Sequence, residues 1–128
     1  MLGGIRRTSP GGTGLRSASV DAEPEVELTL TITTDGSAAV VSLAGELEYS
    51  TAGNLRSTLL ELAHGDTTAV VLDMANVAFL DSTGISLLIQ AKQRFDERGT
   101  TVKLRHPSAR VARVLEIAGV ADLFDIES

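Results

Sequence analysis

The sequence contains no cysteine and no tryptophan, and its aromatic residues are limited to Tyr49, Phe79, Phe95 and Phe124. The missing thiols exclude disulfides, thiolate catalysis and a cysteine-based metal site, and they fit a reducing compartment such as the cytoplasm. With so few rings, the core has to be aliphatic. No apolar run approaches the roughly 20 residues that a membrane-spanning helix needs. Arg6-Arg7 is not followed by the apolar segment of a twin-arginine export signal. Basic charge is scarce as well: 11 Lys and Arg stand against 17 Asp and Glu, a net charge of −6. Three of the arginines, Arg6, Arg7 and Arg16, lie in the first 20 residues, which hold no acid, so that segment carries +3 and the rest of the chain −9. So acidic a domain argues against nucleic acid or an anionic membrane as a direct partner and favours a protein.

Several chemistries lack their motifs. There is no Walker loop, and His64 and His106 show no metal-ligand spacing with the acids. "GGTG" at Gly11–Gly14 has no preceding strand and no third glycine, so it reads as linker rather than as a dinucleotide-binding turn. No metal and no cofactor is expected, and the chain is not expected to be an enzyme.

At 128 residues the chain suits one domain with a substantial core. Residues 1–24 are rich in Gly, Ser and Pro without periodicity, and they are expected to be a disordered leader because they bury too little to offset ordering entropy. Residues 25–128 carry the folded pattern. Val26, Leu28, Leu30 and Ile32 alternate with Glu27, Thr29 and Thr31 as in a half-buried strand. Asp35-Gly36 makes a hairpin turn into "AAVVSLAG". "GELEYSTA" reads as a polar loop. A helix is predicted over Thr51–Ala63, with Ser50 as its N-cap and Gly65 as a left-handed stop. "TTAVVLDM" reads as a strand buried on both faces. A second helix is predicted over Ser82–Arg98, a short strand at "TTVKLRH", a third helix capped by Ser108, and a last strand or short helix in "VADLFDIES". The order β-β-α-β-α-β-α predicts an α/β domain with a mixed sheet, parallel after the hairpin.

The stretch "FLDSTGISLLIQA" joins a strand to a helix. Asp81 there is positioned to cap the helix, leaving Ser82 and Thr83 in its first turn, where free N–H groups and the macrodipole favour an added anion. Two readings stand side by side: simple capping, or a hydroxyl displayed for modification. Gly84 would keep the backbone open to a close-approaching partner. A hydrolase nucleophile at Ser82 is disfavoured, since the glycine two residues earlier is missing and the bases available are loop histidines. Glu46, Glu48 and Tyr49 read either as solvent-facing loop or, with Asp81, as an acidic rim around Ser82.

"VSLAGELEYSTAGNLRSTLLEL", "AVVLDMANVAFLDSTGISLLIQAKQRFDERGTTVKL" and "HPSARVARVLEIAGVADLFDI" together resemble the STAS domain of bacterial anti-sigma factor antagonists, over about Val26 to Ile126. The resemblance implies a sheet of four or five strands with helices mainly on one side. It implies phosphorylation at Ser82, with Thr83 a secondary candidate, by an anti-sigma factor carrying an ATP-binding serine kinase domain. It further implies that the unphosphorylated form binds this factor and frees a sigma factor, that phosphorylation ends binding, and that a PP2C-type phosphatase resets the switch. Glu46, Glu48, Tyr49, Asp81, Ser82, Thr83 and Gly84 would line the partner-binding surface. Glu48 stands where the family usually has aspartate. The alternative is a non-catalytic STAS subunit of a lipid-transport ATPase complex or another regulatory assembly.

Overall fold

The computed structural model describes residues 4–10 and 26–128. Its elements are β1 (Gly4–Pro10), β2 (Glu27–Asp35), β3 (Ala38–Leu47), α1 (Ala52–Ala63), β4 (Ala69–Leu80), α2 (Ser82–Glu97), β5 (Thr101–Arg105) and α3 (Ala109–Ile117). A 3-10 turn (Ala121–Leu123) and β6 (Asp125–Glu127) close the chain. The α/β order expected from the hairpin onward is the one observed.

One sheet holds six strands in sequence order. β1–β2 and β2–β3 are antiparallel, and β3–β4, β4–β5 and β5–β6 are parallel. Each parallel step crosses in the same direction, so right-handed crossovers bring α1, α2 and α3 to one face. On that face Leu28, Leu30, Val41, Leu43, Val70, Leu72 and Leu104 meet Leu55 and Leu59 of α1, Leu88 and Phe95 of α2, and Val111 and Leu115 of α3, in one buried cluster. The core is aliphatic apart from Phe95 and Phe124.

Four expectations need correction. Gly4–Pro10, expected to be disordered, forms β1 and pairs with β2 from Gly4↔Thr33 to Pro10↔Glu27. The open edge of β2 offers backbone donors and acceptors that any strand able to extend can satisfy, and composition does not encode that pairing. The rest of the leader, residues 11–24, lies outside the described residues, as do residues 1–3. Second, β4 alternates between buried and half-buried positions instead of being enclosed on both faces, because all three helices cover the same side. Third, α1 is capped by Thr51 and not by Ser50, with no side-chain cap hydrogen bond. The buried Thr51 hydroxyl instead donates to the Glu46 carbonyl at 2.6 Å and accepts from the Glu48 N–H at 3.1 Å, closing the turn from β3 into α1. Fourth, Gly65 is not left-handed; His64 ends α1 in the helical region, its ring Nδ1 2.8 Å from the Leu60 carbonyl.

β3 and β4 also extend further than read. Gly45, Glu46 and Leu47, expected in a loop, are the last residues of β3, and Ala75–Leu80 continue β4. Pairing Glu46↔Phe79 and Leu47↔Leu80 is reached after two register shifts. Gly45 sits at the second shift with φ 123°, and a Cβ there would lie 2.1 Å from the Glu27 carbonyl oxygen. Only glycine fits that place. The shifted pairing carries the end of β3 alongside the start of α2.

Candidate functional site

The site is built where β4 passes into α2. Leu80 faces the core at 4 % exposure, and its neighbour Phe79 stands 47 % exposed. Asp81 then leaves the helix at extended backbone angles and acts as N-cap. Its Oδ1 accepts from the Gly84 N–H at 2.9 Å, and its Oδ2 accepts from the Tyr49 N–H at 3.1 Å. The Asp81 N–H also donates to the Leu47 carbonyl at 3.3 Å. One carboxylate thus fastens the first turn of α2 to the β3–α1 turn. The capping reading of Asp81 is correct as geometry, and it is compatible with a displayed hydroxyl one residue later.

Ser82 is exposed, and no hydrogen bond among the described residues engages its hydroxyl. Thr83 is half-buried. No acidic side chain occupies the first turn of α2, so its N-terminal partial positive charge is offset only from the capping Asp81. Gly84 is buried: an added Cβ would lie 2.7 Å from the Leu47 carbonyl oxygen and 2.8 Å from Leu80 Cδ1. Its lack of a side chain serves packing against β3, beneath the surface that Ser82 shares.

Around Ser82 the structure brings together most of the residues singled out in the sequence. Glu46 is half-buried on β3, opposite Phe79. Glu48 folds back on its own turn, accepting from the Ser50 N–H at 3.3 Å and from the Ser50 hydroxyl. Tyr49 is 79 % exposed, its backbone held by Asp81. Phe79, at 47 % exposure, is a surface residue that the sequence pattern does not announce: past the register shifts Val77, of the same parity, is buried while Ala78 is exposed.

The histidines are not placed to activate Ser82. His64 ends α1, and His106 follows β5 with φ 57° and its N–H donating to the Glu127 carbonyl at 2.7 Å; neither hydrogen-bonds Ser82. Among the described residues no group of three or more His, Asp or Glu side chains gathers to hold a metal, and no helix is long and apolar enough to cross a membrane. A cavity of about 440 Å³ lies between α1 and α2 against Arg56, Leu59, Leu87 and Arg94, and does not include residues 79–84.

A family profile described as Mlab, STAS domain matches residues 30–125. This chain belongs to the STAS domain family. The anti-sigma-B factor antagonist of Bacillus subtilis is 30 % identical over 88 residues, spanning 69 % of this chain and 80 % of that protein. The Staphylococcus aureus anti-sigma-B factor antagonist is 26 % identical over 101 residues, 79 % of this chain and 94 % of its own. Among solved structures, an anti-sigma factor antagonist from Mycobacterium paratuberculosis superposes with a TM-score of 0.66 at 27 % identity, covering 78 % of this chain and 85 % of that one. The unphosphorylated form of the anti-sigma factor antagonist SpoIIAA gives a TM-score of 0.68 at 19 % identity, over 77 % of this chain and 88 % of its own. At that identity the likeness establishes the STAS fold alone. The match begins at β2, so β1 is outside the profile.

Proposed function

We propose that this STAS domain is an anti-sigma factor antagonist whose binding is switched by phosphorylation of Ser82. The observation that carries the reading is an exposed, unengaged hydroxyl at the start of α2, on a platform that Asp81 fixes by two hydrogen bonds. The relatives' names support it. The partner is an anti-sigma factor with an ATP-binding serine kinase domain, met in the cytoplasm, and the chain is substrate and ligand rather than enzyme.

In the transfer, Ser82 Oγ attacks the γ-phosphorus of the ATP held by the kinase. The Oγ–P bond forms, the bond to the bridging β–γ oxygen breaks, ADP leaves, and the hydroxyl proton passes to a base of the kinase. In-line attack requires Ser82 to face the nucleotide's phosphates in the complex. After transfer the same position carries about −1.5 to −2 charges and faces a remaining diphosphate. Like charge and desolvation then oppose the complex, while the helix start tolerates the phosphate in the free domain. A difference of about 3 kcal/mol changes affinity roughly a hundredfold. A PP2C-type phosphatase restores the hydroxyl with water as acceptor of the phosphoryl group.

Incubation with the cognate anti-sigma factor and ATP should add one phosphate, placed on Ser82 by fragmentation mass spectrometry. Ser82→Ala should bind that factor constitutively and Ser82→Asp poorly. Labelling confined to the half-buried Thr83 refutes the assignment. The family profile is described as Mlab and not as an anti-sigma factor antagonist, which favours one competing reading, a non-catalytic STAS subunit of another regulatory assembly or of a lipid-transport ATPase complex, that needs no phosphate. Under that reading Ser82→Ala and Ser82→Asp assemble equally.

A further inference from the structure

We propose that Tyr49 and Phe79 are the anchors of the docking surface, and that the partner receives them in an apolar pocket rimmed by arginine or lysine. The proposal rests on the anti-sigma antagonist reading and names the chemistry of its interface. Four aromatic residues exist in the chain. Phe95 and Phe124 are in the core at 2 % and 7 % exposure, whereas Tyr49 and Phe79 stand at 79 % and 47 %. The backbones that carry both rings run close to Ser82. Phe79 precedes Ser82 by three residues, and the Tyr49 backbone is hydrogen-bonded to Asp81, the neighbour of Ser82. Large rings on short, rotamer-poor side chains bury much area at small entropic cost, which is why they dominate binding hot spots. Their bases are fixed here: Phe79 lies in the paired end of β4, and Tyr49 lies within the turn that Thr51 closes.

Charge defines the other half of the partner. Glu46 is the register partner of Phe79, Glu48 precedes Tyr49, and Asp81 follows Phe79 by two residues, while residues 42–55 and 74–91 hold no basic residue. The segments that carry the two rings therefore bring acids and no base of their own. A cationic rim complements them, and a guanidinium over Tyr49 adds a cation–π contact. The cations stand opposite the glutamates, around the rings, while Ser82 faces the nucleotide. A phosphate there interrupts the water-excluded centre that the rings create.

The test uses the full chain with Ser82→Ala and the cognate anti-sigma factor, with affinity measured by calorimetry. Tyr49→Ala and Phe79→Ala should each weaken binding at least tenfold, Tyr49→Phe should retain most of it, and raising the salt should weaken the parent complex. Ile117→Ala removes an equally exposed apolar residue at the end of α3, 74 % exposed, and should change affinity less than twofold. Both aromatic positions are exposed enough that unfolding midpoints stay near the parent value. Binding within twofold of the parent for both alanine variants overturns the inference while leaving the phosphorylation switch standing. Equal binding by Ser82→Ala and Ser82→Asp, with the aromatic variants still weakened, overturns the switch and leaves the anchors. Failure of the parent to bind any anti-sigma factor overturns both.

Discussion

Replacing Asp81 by alanine removes the tie between the β3–α1 turn and α2, and the cost can be worked from its two hydrogen bonds. The Oδ1 bond to the Gly84 N–H is a helix N-cap, whose loss to alanine costs about 1 kcal/mol, within a range of 0.5–2. The Oδ2 bond to the Tyr49 N–H is exposed, so water partly replaces it and the net loss is about 0.5–1 kcal/mol. A carboxylate at a helix N-terminus contributes a further few tenths of a kcal/mol. The sum is about 2 kcal/mol. Asparagine separates the contributions. It has a single carbonyl oxygen for two N–H donors, so one of Gly84 and Tyr49 loses its acceptor, and the cost should be about half. In urea, with a slope of about 1–3 kcal/mol/M, Asp81→Ala should move the unfolding midpoint down by about 1 M, with Asp81→Asn in between and unchanged slopes. An alanine variant with the wild-type midpoint would refute the claim that this carboxylate holds the site together.

Gly84→Ala sets two effects against each other: helix propensity favours alanine by about 1 kcal/mol, and the clash with the Leu47 carbonyl costs about 1–3 kcal/mol. The clash should win because the nearest atom is backbone, lowering the thermal midpoint in circular dichroism by several degrees; a rise would show that β3 yields freely. Ser108→Ala removes the 3.1 Å cap bond to the Val111 N–H, and should cost about 1 kcal/mol with a fall of a few degrees in midpoint.

Much of this fold was legible because its signals are local. Alternation from Val26 to Ile32, the Asp35-Gly36 turn, and the caps Asp81 and Ser108 each act within a few residues, and each is where it was read. What was not legible depends on contacts far along the chain. β1 is a strand because β2 has an unpaired edge, which the residues 4–10 themselves do not announce. The half-burial of β4 follows from three crossovers sharing one hand, and an apolar run reads the same under one cover or two. At the site, the residue types around Ser82 are legible, but the second bond of Asp81, to Tyr49, spans 32 positions, and Phe79 lies on a stretch of β4 where the register shifts have broken the alternation. At Gly84 the sequence does not announce the close approach of Leu47, 37 positions earlier, which a Cβ would obstruct.

The direction of β1 has a practical bearing on how the domain can be tethered. Gly4 lies beside Thr33, and Thr33 beside Val40, so anything entering through Gly4 arrives level with the early part of β3. Seven further residues of β3 lead to Leu47, about 23 Å at the rise of an extended strand. A fusion or surface attachment made at that end holds the sheet away from the end where β4 passes into α2. The same placement lets a large neighbouring module be carried without crowding the β4–α2 junction.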